Sequence, residues 1–289
     1  MKHFVTIAGV LMIALLAGSY GGAVHPVGDS LAVFRLAIAL LALIQFCLLL
    51  RHHKRLALVG IIACAIAVAG ILWHKREATG PGPITVYQKN MLFKNDALAA
   101  LAQDILETSP DIVMLQEVSV PNTALLDMLS AAYPHQHLCR FSYRSGVAVL
   151  SRLEPLDDPF CHRDVGLAAM RVTTDAGPLW ALSLHLSWPF PLKQARQIRA
   201  IEPWLRDLSG PIVLGGDFNM VPWSDTLRRA ASATRTTRVG VTRPSFQLGP
   251  LPLPIDHVLA PGGGTTELRP FLGSDHRGLV ARVHITPAN

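Results

Sequence analysis

Three long apolar runs open the chain, at residues 4–24, 31–50 and 56–73. Each is apolar all round rather than along one stripe. Each also reaches the roughly 17–25 residues that a helix needs to cross a bilayer core about 30 Å thick. The pattern predicts about three transmembrane helices within residues 1–78. A buried helical core is the bland alternative, and the short polar or basic breaks between the runs count against it. Arg35 interrupts the second run near its start, where its long stem would let it snorkel to the interface. The first run also fits a signal peptide, with Lys2 and His3 before it and Ala17, Gly18 and Ser19 after its apolar part.

After Thr79-Gly80-Pro81-Gly82-Pro83, which reads as a linker over 79–83, the pattern changes. Over residues 84–289 short apolar runs alternate with helical periodicity. Strands are predicted at 84–88, 111–115, 146–150, 179–184, 211–214, 255–259 and 279–285. One helix, capped by Asn95, carries Leu98, Leu101 and Ile105 on one face. Further helices are expected at 122–132, 192–208 (kinked or split by Pro203) and 224–231. Strands packed against helices make a layered α/β or α+β domain.

Composition sharpens the division. The chain is 50% hydrophobic and only 16% charged, against about 25% charged in average soluble proteins. The first 79 residues hold seven Lys/Arg against two Asp/Glu, and the remainder hold 19 against 18. The formal charge of +6 therefore sits in the apolar segment, which excludes a protein that coats nucleic acid through bulk charge; disorder is excluded too. The break at 25–30 has no Lys or Arg, whereas the one at 51–55 has three. The positive-inside bias places the second break in the cytoplasm. A multi-pass inner-membrane protein with a periplasmic C-terminal domain is expected, although Lys75 and Arg76 argue weakly the other way. Cys47 and Cys64 lie inside the apolar runs and pack there. Cys139 and Cys161 are in the soluble part, where an oxidising compartment would let them pair; their spacing leaves this open.

The candidate chemistry gathers where predicted strands stop: Asn90, Glu117, His185, Asp217, Asn219, Asp256 and His276. Polar groups at strand ends can meet on one rim while the apolar runs bury the sheet. Glu117 in "DIVMLQEV" either faces solvent or binds a cation. In "GGDFN" two glycines would let the backbone turn sharply against a ligand. Asp217 and Asn219 would share a face if the strand continues, with an Asx turn as the plainer reading. Asp256 in "PIDHV" lies in an apolar strand, where an unpaired charge is costly; a His is its natural partner. "SDH" sets Asp275 beside His276.

Taken together, "YQKNM", "LQEV", "SGVAVLSR", "LSLHL", "GGDFN", "IDHV" and "GSDH" resemble the endonuclease/exonuclease/phosphatase superfamily of DNase-I-like hydrolases. The stretches span Tyr87 to His276. The resemblance implies a four-layer α/β sandwich over 84–289, preceded by the N-terminal transmembrane helices. It implies metal ligation (Mg²⁺ or Mn²⁺) by Glu117, helped by Asp275 and Asn90. It further implies that Asp217 and Asn219 position or deprotonate the attacking water and hold the phosphate. His276, oriented by Asp256, would contact the scissile phosphate, and His185 would donate a proton to the leaving group.

Elementary chemistry agrees. A phosphate ester is shielded by negative oxygens, and a hard dication neutralises that charge. Mg²⁺ needs only one or two carboxylates, and zinc spacing, a P-loop and a nucleophile elbow are all missing. Arg228 and Arg229 begin an Arg-rich stretch that would grip a polyanion or simply face water. Trp188 and Trp223 would line the cleft or pack under its loops. The expected activity is that of a phosphodiesterase or nuclease. A phosphatase or phospholipase acting on lipid headgroups or small esters is the alternative, and a non-catalytic anchored binding module the second. The expected partners are the bilayer and a phosphate-ester substrate; no protein partner is inferable.

Overall fold

The computed structural model describes residues 2–74 and 79–286, so the expected charge effect of Lys75 and Arg76 lies outside the described residues. Helices α1 (Lys2–Gly18), α2 (Val27–Val33), α3 (Arg35–Leu49) and α4 (Lys54–Trp73) form the N-terminal segment. Phe46 is buried in their shared core and seats against Gly60 of α4 and Gly9 of α1. Small residues let neighbouring backbones approach in this way.

The three expected spans are only partly matched. Among the described residues, helix α4 alone is long and apolar enough to cross a membrane. Helices α2 and α3 qualify only as a pair, bent by 73°, and Val5–Gly18 of α1 is shorter. Polar anchors lie on both sides of the bend. Asp29 is buried and accepts from the Asp225 and Thr226 backbone N–H groups and the Thr226 hydroxyl, at 2.7–2.9 Å. Arg35 does not snorkel outward: it is buried, donates to Ser19 and stacks over the Tyr20 ring. An apolar run read from sequence does not register these two anchors.

The remaining chain forms the layered domain. In chain order come β1 (Ile84–Asn90), α5 (Leu98–Thr108), β2 (Ile112–Gln116), α6 (Ala124–Leu129), β3 (His135–Arg140) and β4 (Gly146–Ser151). Next are β5 (Phe160–His162), β6 (Leu167–Thr174), β7 (Gly177–His185), α7 (Gln194–Asp207), β8 (Ile212–Asp217) and α8 (Asp225–Thr234). Then follow β9 (Thr237–Arg238), β10 (Phe246–Leu248), β11 (Leu251–Leu253), β12 (Asp256–Ala260), β13 (Gly264–Leu268) and β14 (Leu279–Val283). Pro203 lies inside an unbroken α7, so the expected split does not occur. The edge strands β3, β5, β9 and β13 have too little apolar alternation to be read from sequence, and the interior strand β6 is not among the predicted strands either.

Two six-stranded sheets result, ordered β13-β14-β1-β2-β4-β3 and β5-β6-β7-β8-β12-β9. Strand alternation sorts their side chains into layers. Val86, Ile112, Met114, Ala181, Val213 and Val258 point between the sheets. Tyr87, Val113 and Leu115 pack outward under Leu101, Ile105 and Leu125 of α5 and α6. Leu182, Ile212 and Leu214 pack under Ile198, Ile201 and Leu227 of α7 and α8. The order helix, sheet, sheet, helix is the expected four-layer sandwich. Cys139 and Cys161 form a disulfide, joining the edge strand β3 of one sheet to the edge strand β5 of the other.

Candidate active site

Period-two alternation carries the chemistry into the gap between the sheets. On β7, Leu179 and Ala181 face that gap and His185 follows on the same face; on β8, Val213 leads to Asp217; on β12, Val258 leads back to Asp256. Pairing aligns the three strand ends, His185 opposite Asp217 and Asp217 opposite Asp256. From the first sheet, β1 sends Val86, Gln88 and Asn90 to the same gap. Gln88 Nε2 donates to Gln116 Oε1 at 2.8 Å and to Asp256 Oδ1 at 3.0 Å, which ties the sheets together just beneath the site.

Above this layer a cleft of about 390 Å³ is lined by Glu117, His185, Asp217, Asn219, Asp275 and His276, with Trp188 and Phe246 on its wall. His276 Nδ1 lies 2.8 Å from Asp256 Oδ2 and its Nε2 3.8 Å from Asp217 Oδ2. Asp217 is buried at the centre: Oδ1 accepts from the Asn219 N–H (2.8 Å) and Oδ2 from Asn90 Nδ2 (3.0 Å), with His185 Nε2 at 3.6 Å. Asp256 thus has the imidazole partner that its apolar strand demanded.

Burial works against an imidazolium at His276, but Asp256, then Asp217, then the hydrogen bond to Asp256 hold its pKa up at about 10. Burial raises the Asp217 carboxyl above the usual carboxylate range, against the pull of His276. Burial acts the same way on Asp256, yet the His276 charge and hydrogen bonds from His276, Ser245 and Gln88 outweigh it and hold that carboxyl low. Oxygen and nitrogen atoms of Asp217, Asp256 and His276 lie within 4.8 Å of one another. His276 Nδ1 is engaged by Asp256 in a charge-assisted hydrogen bond, which leaves its Nε2 and Asp217 toward the cleft; a carboxylate-oriented imidazole of this kind fits either a phosphate contact or a metal ligand.

Glu117 follows β2 at φ 56°, a left-handed conformation uncommon for a side-chain-bearing residue. Its Oε1 accepts from Asn90 Nδ2 (3.2 Å) and its Oε2 from the Phe93 N–H (3.0 Å). Asp275 is exposed on the cleft wall, with no hydrogen bond or ion pair among the described residues. Two carboxylates on one rim are hard oxygen donors, and that donor set fits Mg²⁺ or Mn²⁺. Asn90 is buried behind them, and its Oδ1 already accepts from the Leu92 N–H; the amide bridges Glu117 to Asp217.

Lys89 was not singled out from the sequence. Its buried ammonium donates to the Pro270, Phe271 and His276 carbonyls at 2.6–3.2 Å, holding the loop that carries Asp275 and His276. Burial pushes its pKa down to about 8, opposed by Asp256, Asp104 and Asp275. Flanked by Gln88 and Asn90 rather than by apolar residues, Lys89 carried no signal of a charge within an apolar run. Phe246 tilts over His276 at 4.7 Å and meets the edge of Trp188 at 5.7 Å. It comes from the β10–β11 hairpin, which had no clear sequence signal.

Several expectations need correction. Gly215 and Gly216 do not turn the chain; both lie inside β8. A Cβ on Gly216 would strike the Leu184 carbonyl and one on Gly215 the Met114 sulfur, so the glycines permit close packing. The turn comes at Asn219, at φ 48°, so β8 does not continue and the Asx reading holds. Arg229 pairs with Glu202 at 2.6 Å and Arg228 with Asp225. Neither lines the cleft. Trp223 donates to the Ala32 carbonyl at 2.8 Å and faces the N-terminal helices; an Arg-rich or aromatic stretch read linearly does not tell which side of α8 it covers. Trp188 does line the cleft.

The family model described as Endonuclease/Exonuclease/phosphatase family matches residues 88–276. No curated protein matches the sequence. Among solved structures, Danio rerio TDP2 complexed with single strand DNA product is 15% identical, with a TM-score of 0.55 over 68% of this chain and 97% of that one. Staphylococcus aureus beta toxin with bound magnesium ions is 13% identical, with a TM-score of 0.55 over 70% and 99%. An endonuclease/exonuclease/phosphatase family protein from Leptotrichia buccalis is 15% identical, with a TM-score of 0.55 over 70% and 100%. At these identities the likenesses establish the fold.

Proposed function

This chain belongs to the endonuclease/exonuclease/phosphatase family, and on that premise we propose that it is a membrane-anchored, divalent-metal-dependent hydrolase of phosphate esters, in the first place a phosphodiesterase of nuclease type. The observation that carries this reading is the meeting of Glu117 and Asn90 from one sheet with the aligned His185, Asp217 and Asp256 of the other, under His276 and Asp275. Glu117 and Asp275 would hold the ion, and Asn90 steadies Glu117. When bound, the ion neutralises phosphate charge and polarises the ester.

The chain's own residues supply the rest. The His276 imidazolium, fixed by Asp256, presents positive charge to a non-bridging oxygen. Asp217, raised by burial and turned into place by Asn219, takes the proton from the attacking water. His185 sits at the cleft wall, where it donates a proton to the leaving group. Lys89 positions the loop that carries His276 and Asp275.

A lipid headgroup as substrate is favoured by one observation. The cleft-rim loop with Trp188, Leu192 and Lys193 touches the N-terminal segment: Ser30 Oγ donates to the Phe190 carbonyl at 2.8 Å, and the His25 ring meets Phe190 edge-on at 5.7 Å. The deciding experiment gives the full chain, with Mg²⁺, a small diester, a single nucleotide strand and phospholipid vesicles. Cleavage that EDTA stops and Mg²⁺ restores is expected, as is a loss of at least about 100-fold in Glu117→Gln. No hydrolysis of any phosphate ester would sink the enzyme reading and leave an anchored binding module.

A further inference from the structure

A second groove, of about 680 Å³, opens from the side of the cleft. Phe141, Arg163, Asp164 and Lys193 border both spaces, whereas Arg140 and Arg196 border the groove alone. Asp164 is the one acid on its wall. None of the four cations has a carboxylate partner among the described residues. The contrast with α8 is direct, because Arg228 and Arg229 are both paired there. One nitrogen of Arg140, Nη1, is buried with no hydrogen-bond partner among the described residues. A buried donor left unmade is costly, and neighbouring cations repel until an anion lies between them.

The two walls are also fixed relative to one another. The disulfide joins Cys139, next to Arg140, to Cys161, two residues before Arg163. Cations held this way are arranged before any ligand arrives. Guanidinium groups suit the paired oxygens of phosphate.

We infer that this groove is an anion subsite for a phosphate flanking the scissile one, and that its occupant is a single nucleotide strand. The inference rests on the phosphodiesterase reading and adds a substrate requirement to it. A strand is favoured over a lipid because the groove walls are charged and suit a run of phosphates rather than an acyl chain. Trp188 and Phe246 on the cleft wall offer faces on which a base can stack.

The test uses the full chain in detergent micelles with Mg²⁺ and compares it with Arg140→Gln, Arg196→Gln and the double variant. Three probes separate the outcomes: bis-p-nitrophenyl phosphate, a fluorescein-labelled oligothymidylate, and vesicles of phosphatidylcholine with phosphatidylinositol bisphosphate. For the double variant, kcat/KM on the oligothymidylate should fall about tenfold, mainly through KM, and its salt dependence should flatten by a log–log slope of about 1. Turnover of the small diester should stay within about twofold, since neither arginine borders the cleft. Arg196→Lys should recover part of the strand activity, which a lost fold would not allow. An equal fall on strand and small diester, or an unchanged strand KM and salt slope, overturns the subsite. A loss confined to the phosphoinositide vesicles overturns the strand as its occupant. Strand binding by anisotropy in EDTA is read alongside: arginine-dependent binding without hydrolysis of any probe would keep the subsite and remove the hydrolase reading instead.

Discussion

His276 is held between two buried carboxylates, and the one on its Nδ1 side, Asp256, fixes its orientation at 2.8 Å. Asp256→Asn should therefore lower kcat by roughly 10²–10⁴-fold with little change in KM, measured on a small diester. An unchanged kcat would mean that the imidazole needs no orienting partner. Another histidine next to the site behaves in the opposite way. His257 faces away from the cleft, with Nε2 2.8 Å from the Met220 carbonyl, and burial first, then Arg238, lowers its pKa to about 4. The unfolded chain takes up this proton near pH 6.5, but the fold resists it down to about 4. The contribution of neutral His257 is thus present above about pH 6.5 and lost as pH falls through about 4. It amounts to about 3 kcal/mol for a fully buried group. His257→Gln should flatten denaturant-measured stability across that window, and an unaltered pH slope would assign the acid sensitivity elsewhere. Asp256 and His276 were legible from sequence because a charge in an apolar run must have a partner. Lys89 was not legible in this way, because its sequence neighbours are Gln88 and Asn90 and its three carbonyl acceptors come from a loop about 180 residues away.

At the scale of elements, the two sheets are held in parallel layers by their cores and at one edge by a covalent link. The Cys139–Cys161 disulfide spans 22 residues. Chain-entropy arguments give such a link about 3 kcal/mol. Cys139→Ser with Cys161→Ser should lower stability by that order in denaturant titration, and reductant should do the same to the native chain. No change under either treatment would show that the sheet edges hold without it. Strands β1, β2, β4, β7, β8, β12 and β14 were legible because their apolar runs are largely buried. Sequence missed the edge strands β3, β5, β9 and β13, whose partial exposure dilutes their hydrophobic pattern, and also the interior strand β6, whose apolar start runs into Arg171, Thr173 and Thr174. The GGDFN turn was misplaced for a related reason: glycine marks either a turn or a close approach, and only the neighbouring strand decides which.

Across the whole molecule, both ends of the N-terminal segment that meet the domain do so on one side. Asp29 engages the start of α8, and the His74 carbonyl accepts from Arg238 and Thr242. The basic break at 51–55 lies at the other end of the α3–α4 hairpin. On the proposed membrane-anchored reading, with that break placed in the cytoplasm by the positive-inside bias, an alkaline phosphatase fused to the C-terminus should be active in intact cells. An inactive but stably expressed fusion would reverse the orientation. The amino-acid order alone determined the apolar N-terminus, the alternating domain and the residue types of the site, because these depend on local periodicity and on the cost of an unpaired charge. Tertiary structure decided the rest. It settled which helix is long enough to span, where Arg228, Arg229 and Trp223 face, and which cations stand free beside the cleft. Those outcomes depend on partners distant in sequence, and a partner's position is set only when strands pair in register and layers close.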